Sequence, residues 1–374
     1  AKSGGAKLPS DINASIDNSI ETLLKRQNSD GGFGFWESTN SKPWLSAYTM
    51  LAIAGASEKK RFVPRDAIER GREYLNFRLA EATRTFAKVE AERDPDKEIK
   101  ALGPNPTPAQ IQAAAERREK EAAQKEIDYA SAALIADTLA SLGYPNPGAM
   151  NVLYDARGGQ RLFGQAALLH AMARAEMPAA QVTTLKRELQ SRLRISANSV
   201  DVDEPDSDKY GQLLESRTRT LAMMLRALLA ADPRTALAPR MAKRLLALRQ
   251  DGAWRTTQED AWALMALGDY RRLQEANNAA VEIKTYLGGS DLLTSKFPFG
   301  SIREDKVVVS TDHLVSKGPT LGFSVSGDGR AFYAAELKYA TTTLPAKARD
   351  EGLFVTKYVR GVAPTAVSSV VPII

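Results

Sequence analysis

The chain contains no cysteine. That absence removes disulfides, cysteine-ligated zinc, thiol nucleophiles and thioester chemistry from these 374 residues. It says nothing about redox compartment, because a cysteine-free chain survives in either. Histidine is nearly absent as well, with two residues, His170 and His313. Neither has a carboxylate neighbour at ligand spacing, and no HExxH zinc motif occurs. No G-x-S-x-G elbow or S-x-x-K nucleophile stands out. No apolar run is long enough to span a bilayer, so direct membrane insertion is not expected. The opening "AKSGGAKLPS" carries neither a signal peptide nor an initiator Met, and we expect a processed or excised piece of something longer. Charge of one sign is not concentrated either. The net charge of +6 arises from interleaved acids and bases, which reads as a solvated surface and not as a nucleic-acid interface.

What is present is helix after helix. At 43% hydrophobic and 26% charged, the chain has the composition of a globular protein, and its length suggests two domains. From about Asp11 to Glu275, Ala-rich segments that are apolar on nearly all faces alternate with amphipathic ones. Trp44 to Ala56, Asp128 to Tyr144, Phe163 to Met177, Ser216 to Asp232 and Glu259 to Tyr270 are of the first kind. A helix apolar all round is buried on more than one side. The alternation predicts a two-layer α/α toroid of five or six helical hairpins over residues 1–276.

The hairpins are punctuated by a recurring turn. "RQNSDGGFGFW" (Arg26 to Trp36) returns as "LRQDGAW" (Leu248 to Trp254), and more weakly as "YDARGGQRLF" (Tyr154 to Phe163). Asp-Gly-Gly supplies the positive-φ freedom of a tight reversal. The aromatics after it are expected to plug the gap between hairpins, with Trp36, Trp44 and Trp262 mostly buried. A phosphate-cradling loop would need a preceding strand and a nearby lysine, and both are missing.

Residues 84–127 break the rhythm. They are densely charged and divided by "GPNPTP", where Thr107 and the following Pro are placed to start a second helix. We expect an inserted helical hairpin standing out from the array, with a partner-binding arm as the functional alternative. Beyond residue 276 the period changes to two. "AVEIKTYLGGSDLL", "KVVVSTDHL" and "TLGFSVSGDGRAFYAAELKYA" read as strands, with turns at Gly288-Gly289 and Gly327-Asp328-Gly329. This predicts a small antiparallel β-sandwich module over 277–345, then a truncated further β domain over 346–374.

The one acidic cluster, Asp201 to Asp208, loosely approximates the aspartate-rich motif of terpene cyclases. General-acid chemistry needs a desolvated carboxyl, whereas Pro205, Ser207 and the crowding of charge around Asp203 indicate an exposed loop. A polysaccharide-active α/α enzyme would need two spaced carboxylates, and the sequence nominates no pair. His170, midway along an Ala-rich helix, reads as a hydrogen-bonded packing residue. No catalytic, metal or cofactor residue is nominated.

"LLKRQNSDGGFGFWESTNSKPWLSAYTMLAI" resembles the thioester-containing helical domain of bacterial α2-macroglobulins, which show Gln-x-x-x-Gly-Gly-Phe-Gly-x-Trp followed by a Ser- or Thr-Ala-Tyr helix. The matching residues here are Gln27, Gly31, Gly32, Phe33, Gly34, Trp36, Ser46, Ala47 and Tyr48. "RQDGAWRTTQEDAWALMAL", with Trp254 and Trp262, resembles the late hairpin of the same toroid, and "RAFYAAELKYATTTLPAKARDEGLFVTKYV" the β module after it. The resemblance implies a non-enzymatic portion of a broad-spectrum protease inhibitor in the periplasm or cell envelope. It implies target proteases and other domains of a parent protein as partners, and no nucleic acid. The family's thioester forms in a Cys-x-Glu-Gln motif upstream of the Gln-x-x-x-Gly-Gly stretch, and this chain lacks it. The alternatives are an α/α-toroid enzyme, terpene-cyclase-like or polysaccharide-active, and a pure protein-interaction module.

Overall fold

The computed structural model describes residues 11–36, 39–91, 106–196, 199–202, 216–250, 252–275, 279–301, 303–318, 320–331, 333 and 335. The chain divides into two compact units, Ala1–Arg330 and Ala331–Ile374. The first holds every regular element described below. In the second, the described residues carry no regular secondary structure. The last expected β domain therefore lies outside the described residues.

Among the described residues ten helices come first: α1 (Ile12–Lys25), α2 (Pro43–Glu58), α3 (Arg65–Ala91), α4 (Pro108–Ser141), α5 (Pro147–Asp155), α6 (Leu162–Arg174), α7 (Ala179–Ser191), α8 (Arg217–Ala231), α9 (Ala238–Ala247) and α10 (Thr257–Tyr270). Sequence chemistry sets their starts. The Thr107 side chain and Gln110 form a reciprocal capping box at α4. Asn146, Ser216 and Thr256 each accept a hydrogen bond from the backbone N–H three residues on, at α5, α8 and α10. Pro43, Pro108 and Pro147 open α2, α4 and α5, where a missing N–H costs nothing.

The even-numbered helices form the inner layer. α2 packs on α4, α4 on α6, α6 on α8, and α8 on α10. Their composition explains why. From Leu162 to Met172 every residue of α6 is buried, and the same holds from Thr218 to Leu225 in α8. Small residues let the axes approach: a Cβ on Gly164 would lie 3.2 Å from the Ala130 backbone of α4. The odd-numbered helices α3, α5, α7 and α9 lie outside, each burying a single stripe, as with Met241, Ala242 and Leu245 of α9. Five hairpins, α1/α2 through α9/α10, thus make an α/α toroid with one continuous core. Between α2 and α10 side chains close the ring: Tyr48 of α2 stacks on Trp262 of α10.

α3 and α4 are the longest helices, with 27 and 34 residues, and the expected insertion falls on their far ends. From Pro108 to Lys125 only Ala114 of α4 is buried. Residues 92–105, including the first half of the Pro-rich elbow, lie outside the described residues.

A short hairpin, β1 (Leu193–Ile195) with β2 (Val200–Val202), follows α7. After α10 and one turn of π-helix (Arg271–Glu275) comes an antiparallel sheet of order β4-β3-β5, formed by β3 (Val281–Leu287), β4 (Ser290–Phe297) and β5 (Leu321–Ser326). Gly288 and Gly289 make its tight turn, with φ of 56° and 79°. Register puts Ile283, Val325, Thr285 and Phe323 on one face, and Glu282, Lys284, Ser324 and Ser326 on the other. Among the described residues this is a single sheet. One expected strand is a helix instead: α11 (Thr311–Lys317) contains His313. Ser310 caps it, Asp312 sits in its first turn and Lys317 in its last, and these end preferences outweigh the preceding valine run.

Candidate functional site

The recurring turn is a built object. α1 ends at Lys25, and the chain reverses through Asn28 to Gly32. Gln27 pairs with Phe33 in an isolated antiparallel bridge. Its side-chain amide donates to the Gly31 carbonyl at 3.0 Å and the Ala67 carbonyl at 2.9 Å, and its Oε1 accepts from Arg70 at 2.9 Å. One glutamine thereby ties the turn to α3. Asp30 Oδ1 accepts from the Gly32 N–H and from Ser41. Gly31 holds φ of +85°, and a Cβ there would lie 2.2 Å from the Arg70 carbonyl oxygen, so the backbone approach itself requires glycine. Phe33 is buried, and its N–H donates to Ser46 Oγ at 2.8 Å, which links the turn to the first face of α2.

The second copy repeats the plan. Gln250 bridges Ala253, Gly252 has φ of +90°, and Arg249 donates to the Gly252 carbonyl. Trp254 is buried, its indole N–H donating to Leu245 at 2.9 Å, while Asp260 of α10 accepts from its backbone N–H. In the third copy, Gln165 of α6 donates to the carbonyls of Arg157 and Gln160. Ser46, Gln165 and Asp260 thus do the same job: a polar side chain early in an inner helix fixes the turn that leads into it.

Trp36 departs from expectation. Trp44, Trp254 and Trp262 are buried, but Trp36 is 75% exposed. Phe33 takes the inward slot, and Trp44 at the start of α2 fills the gap between hairpins. The Thr39 hydroxyl, bonded to both the N–H and the carbonyl of Trp36, then turns the indole outward.

The inner helices meet around an aromatic cluster of Trp44, Tyr48, Phe163 and Trp262. A cavity of ≈ 20 Å³ remains at its centre, room for about one water. Ser131, Arg219 and Gln258 supply polar lining, and no carboxylate lines it. The Arg219 guanidinium sits 4.5 Å from the Phe163 ring centroid, and that of Arg226 5.7 Å from Trp262. Burial pushes the Tyr48 phenol up, partly opposed by the Arg219 charge.

Two titratable arrangements escape the sequence reading. His170 Nδ1 of α6 lies 2.5 Å from Asp137 Oδ1 of α4, both side chains buried. The expected packing role for His170 fits, but its carboxylate partner is 33 residues away in sequence and could not be read from spacing. Glu188 takes a bidentate pair of 2.8 Å bonds from Arg157, whose guanidinium lies 3.8 Å from the Tyr154 ring centroid. Those bonds hold Glu188 below the usual carboxylate range, against a smaller effect of burial. Of the acidic cluster, Asp201 lies in β2 and pairs with Arg244 at 2.7 Å. Asp203 to Asp208 lie outside the described residues. Among the described residues no group of three His, Asp or Glu could hold a metal ion, and no helix is long and apolar enough to cross a membrane.

Five hairpins around a filled axis, followed by an antiparallel sheet, define an α/α toroid with an appended β module. Comparison with known proteins points one way. The chain is 25% identical over 322 residues to an alpha-2-macroglobulin homolog of Nostoc sp., covering 86% of this chain and 15% of that protein. It is 43% identical over 63 residues to Escherichia coli alpha-2-macroglobulin, covering 17% of this chain and 4% of that one. Salmonella alpha-2-macroglobulin reacted with methylamine shares the fold, with a TM-score of 0.54 at 21% identity, over 79% of this chain and 17% of that one. The native conformation of the E. coli protein matches with a TM-score of 0.50 at 22% identity, over 88% of this chain and 17% of that one. No protein-family model matches. Over most of its length the chain is similar to a stretch of bacterial alpha-2-macroglobulins, and it spans only about 15% of the length of the Nostoc relative.

Proposed function

We propose that this chain is a non-catalytic scaffold within a bacterial α2-macroglobulin-like, broad-spectrum protease inhibitor. Its toroid (residues 1–276) would be the helical scaffold around a site of covalent capture that other residues of a longer protein supply, and its β module (277–345) would join it to the next domain. Target proteases and other domains of that protein are its partners, and the periplasm or cell envelope is its place of work. The observation that carries this reading is the filled axis. An enzyme on an α/α toroid needs a substrate-sized cavity with catalytic carboxylates, on the order of 300 Å³ or more. Here ≈ 20 Å³ remains, walled by aromatics and without an acid. Gln27, Gly31, Gly32, Phe33, Trp44, Tyr48, Trp254 and Trp262 are then structural: they set the turns and fill the axis.

The chemistry of capture cannot reside in these residues, because an internal thioester needs a thiol and the chain has none. The isolated chain, incubated with proteases, methylamine, isoprenoid diphosphates and polysaccharides, is expected to show no adduct and no turnover by mass spectrometry. Turnover abolished by Asp203→Ala or His170→Ala would overturn this reading in favour of an enzyme. A longer form carrying an upstream Cys and Gln is expected to label in a methylamine-sensitive way.

A further inference from the structure

The inner helices α2, α4 and α6 end in the same kind of turn, and one of the three departs from the others. Each closes with the two backbone bonds of a Schellman motif. After α2 the Arg61 N–H donates to the Ala56 carbonyl and Lys60 to Ser57; after α4, Tyr144 to Leu139 and Gly143 to Ala140; after α6, Met177 to Met172 and Glu176 to Ala173. Lys60, Gly143 and Glu176 hold the left-handed position, with φ of 59°, 85° and 51°. The next residue in such a turn is commonly apolar and folds back on its helix. Met177 does so and is buried, and Tyr144 lies under the Arg72 guanidinium, 4.6 Å from its ring centroid. After α2 that place belongs to Arg61, which is drawn sideways to Asp17 at 3.0 Å and to Asn13 of α1. The aromatic comes one residue late. Phe62 is 85% exposed, more than any other large apolar side chain among the described residues, while Val63 behind it packs on the core. Cations surround it. Lys59, Lys60 and Arg65 are exposed and make no ion pair among the described residues. Of the flanking acids, Asp66 is taken by Arg70 at 2.5 Å, which leaves Glu58 alone against the three.

The fold gains nothing from a phenyl ring in water, and a left-handed lysine carries strain that glycine would avoid. Both make sense as features of a contact surface. We propose that the α2–α3 turn docks on an anionic lipid surface, with Phe62 seated among the headgroups and Lys59, Lys60 and Arg65 on lipid phosphates. Such a surface offers diffuse negative charge above an apolar layer, which complements a protruding ring set among cations. With all four side chains exposed the turn is a projection, and a projection suits a soft, extended surface better than an acidic peptide that needs walls around its side chains. The Schellman bonds and the tie from Arg61 to α1 hold it in place before contact, so little ordering is lost on binding. The contact is peripheral, weak and salt-sensitive, and involves no crossing of the bilayer. It does not draw on the inhibitor reading.

A single-site label tests it. Because the chain has no cysteine, Phe62→Cys gives one attachment point for an environment-sensitive fluorophore. Its emission is expected to shift to the blue on vesicles of equal parts phosphatidylglycerol and phosphatidylcholine, and not on phosphatidylcholine alone. A label at Phe77→Cys, on an exposed side of α3, is expected to stay unchanged. In co-sedimentation with the anionic vesicles the parent chain is expected to bind several-fold more than Phe62→Ser or the double variant Lys59→Glu/Lys60→Glu, and to be released by high salt. Lys60→Gly separates binding from folding: it is expected to raise the thermal midpoint and to lower binding. Equal binding to neutral vesicles, or unchanged binding in the double variant, overturns the proposal. So does a Phe62→Cys label that responds to polyglutamate and not to anionic vesicles, which would assign the turn to an acidic peptide.

Discussion

The Tyr48 ring stacks on the Trp262 indole, centroids 6.0 Å apart and planes 26° from parallel. These residues belong to the first and last inner helices, 214 positions apart in sequence, and their contact closes the ring of helices around its axis.

Truncation at this closure has a defined outcome. Trp262→Ala and Trp44→Ala remove large buried rings and are expected to cost about 3–5 kcal/mol each. Trp36→Ala, at an exposed position, is expected to stay within about 0.5 kcal/mol in the isolated chain. Urea unfolding of the three variants checks the contrast, and an equal loss at Trp36 would contradict the outward orientation of its indole.

The two turn glycines separate strain from crowding. Gly252→Ala meets only the far end of Arg249, so left-handed strain of about 1–2 kcal/mol is all it should cost. Gly31→Ala carries the same strain and drives a methyl into the Arg70 carbonyl, so its loss should be clearly larger. Comparable midpoints for the two variants in chemical denaturation would refute the close approach of the first turn to α3.

The buried His170–Asp137 pair joins α6 to α4. Removing one partner leaves the other buried and unsatisfied, at a cost of about 3–5 kcal/mol for His170→Ala or Asp137→Ala alone. The double change His170→Leu/Asp137→Leu is expected to cost less than the sum. A double-mutant cycle by thermal unfolding measures the coupling, and strict additivity would show that the pair does not interact.

Acid should weaken the tie between Arg157, in the turn after α5, and Glu188 of α7. The Arg157 bonds depress the Glu188 carboxyl, so their stabilisation is present above the ordinary glutamate pKa of about 4.3 and is lost as pH falls through the lower folded value. Glu188→Gln is expected to flatten that acid limb and leave the neutral and alkaline limbs parallel to the parent. An unchanged acid limb would show that the pair contributes nothing to the pH dependence.

Much of this architecture was legible in the chain. Ala-rich segments apolar on every face marked the inner helices, because only a helix enclosed by others tolerates that pattern. Thr107-Pro108 announced a helix start, and Gly288-Gly289 a tight turn. The recurrence of Arg-Gln before the glycines marked equivalent turns. His313 was misread because capping by Ser310 works locally against a valine-rich run, and alternation alone does not reveal which wins.

The sequence by itself determined the class of structure, the repeat and the chemistry that is missing, since periodicity, capping and the absence of a thiol are properties of the chain. Only the tertiary structure decided which aromatics are inside. Phe33, Trp36 and Trp44 are equally apolar as letters, but one slot between hairpins admits a limited volume, and packing gives it to Phe33 and Trp44. The Asp137–His170 pair was decided there too. Which carboxylate meets a histidine depends on the rotation of two helices about their axes, and that is fixed by the packing of the ring as a whole.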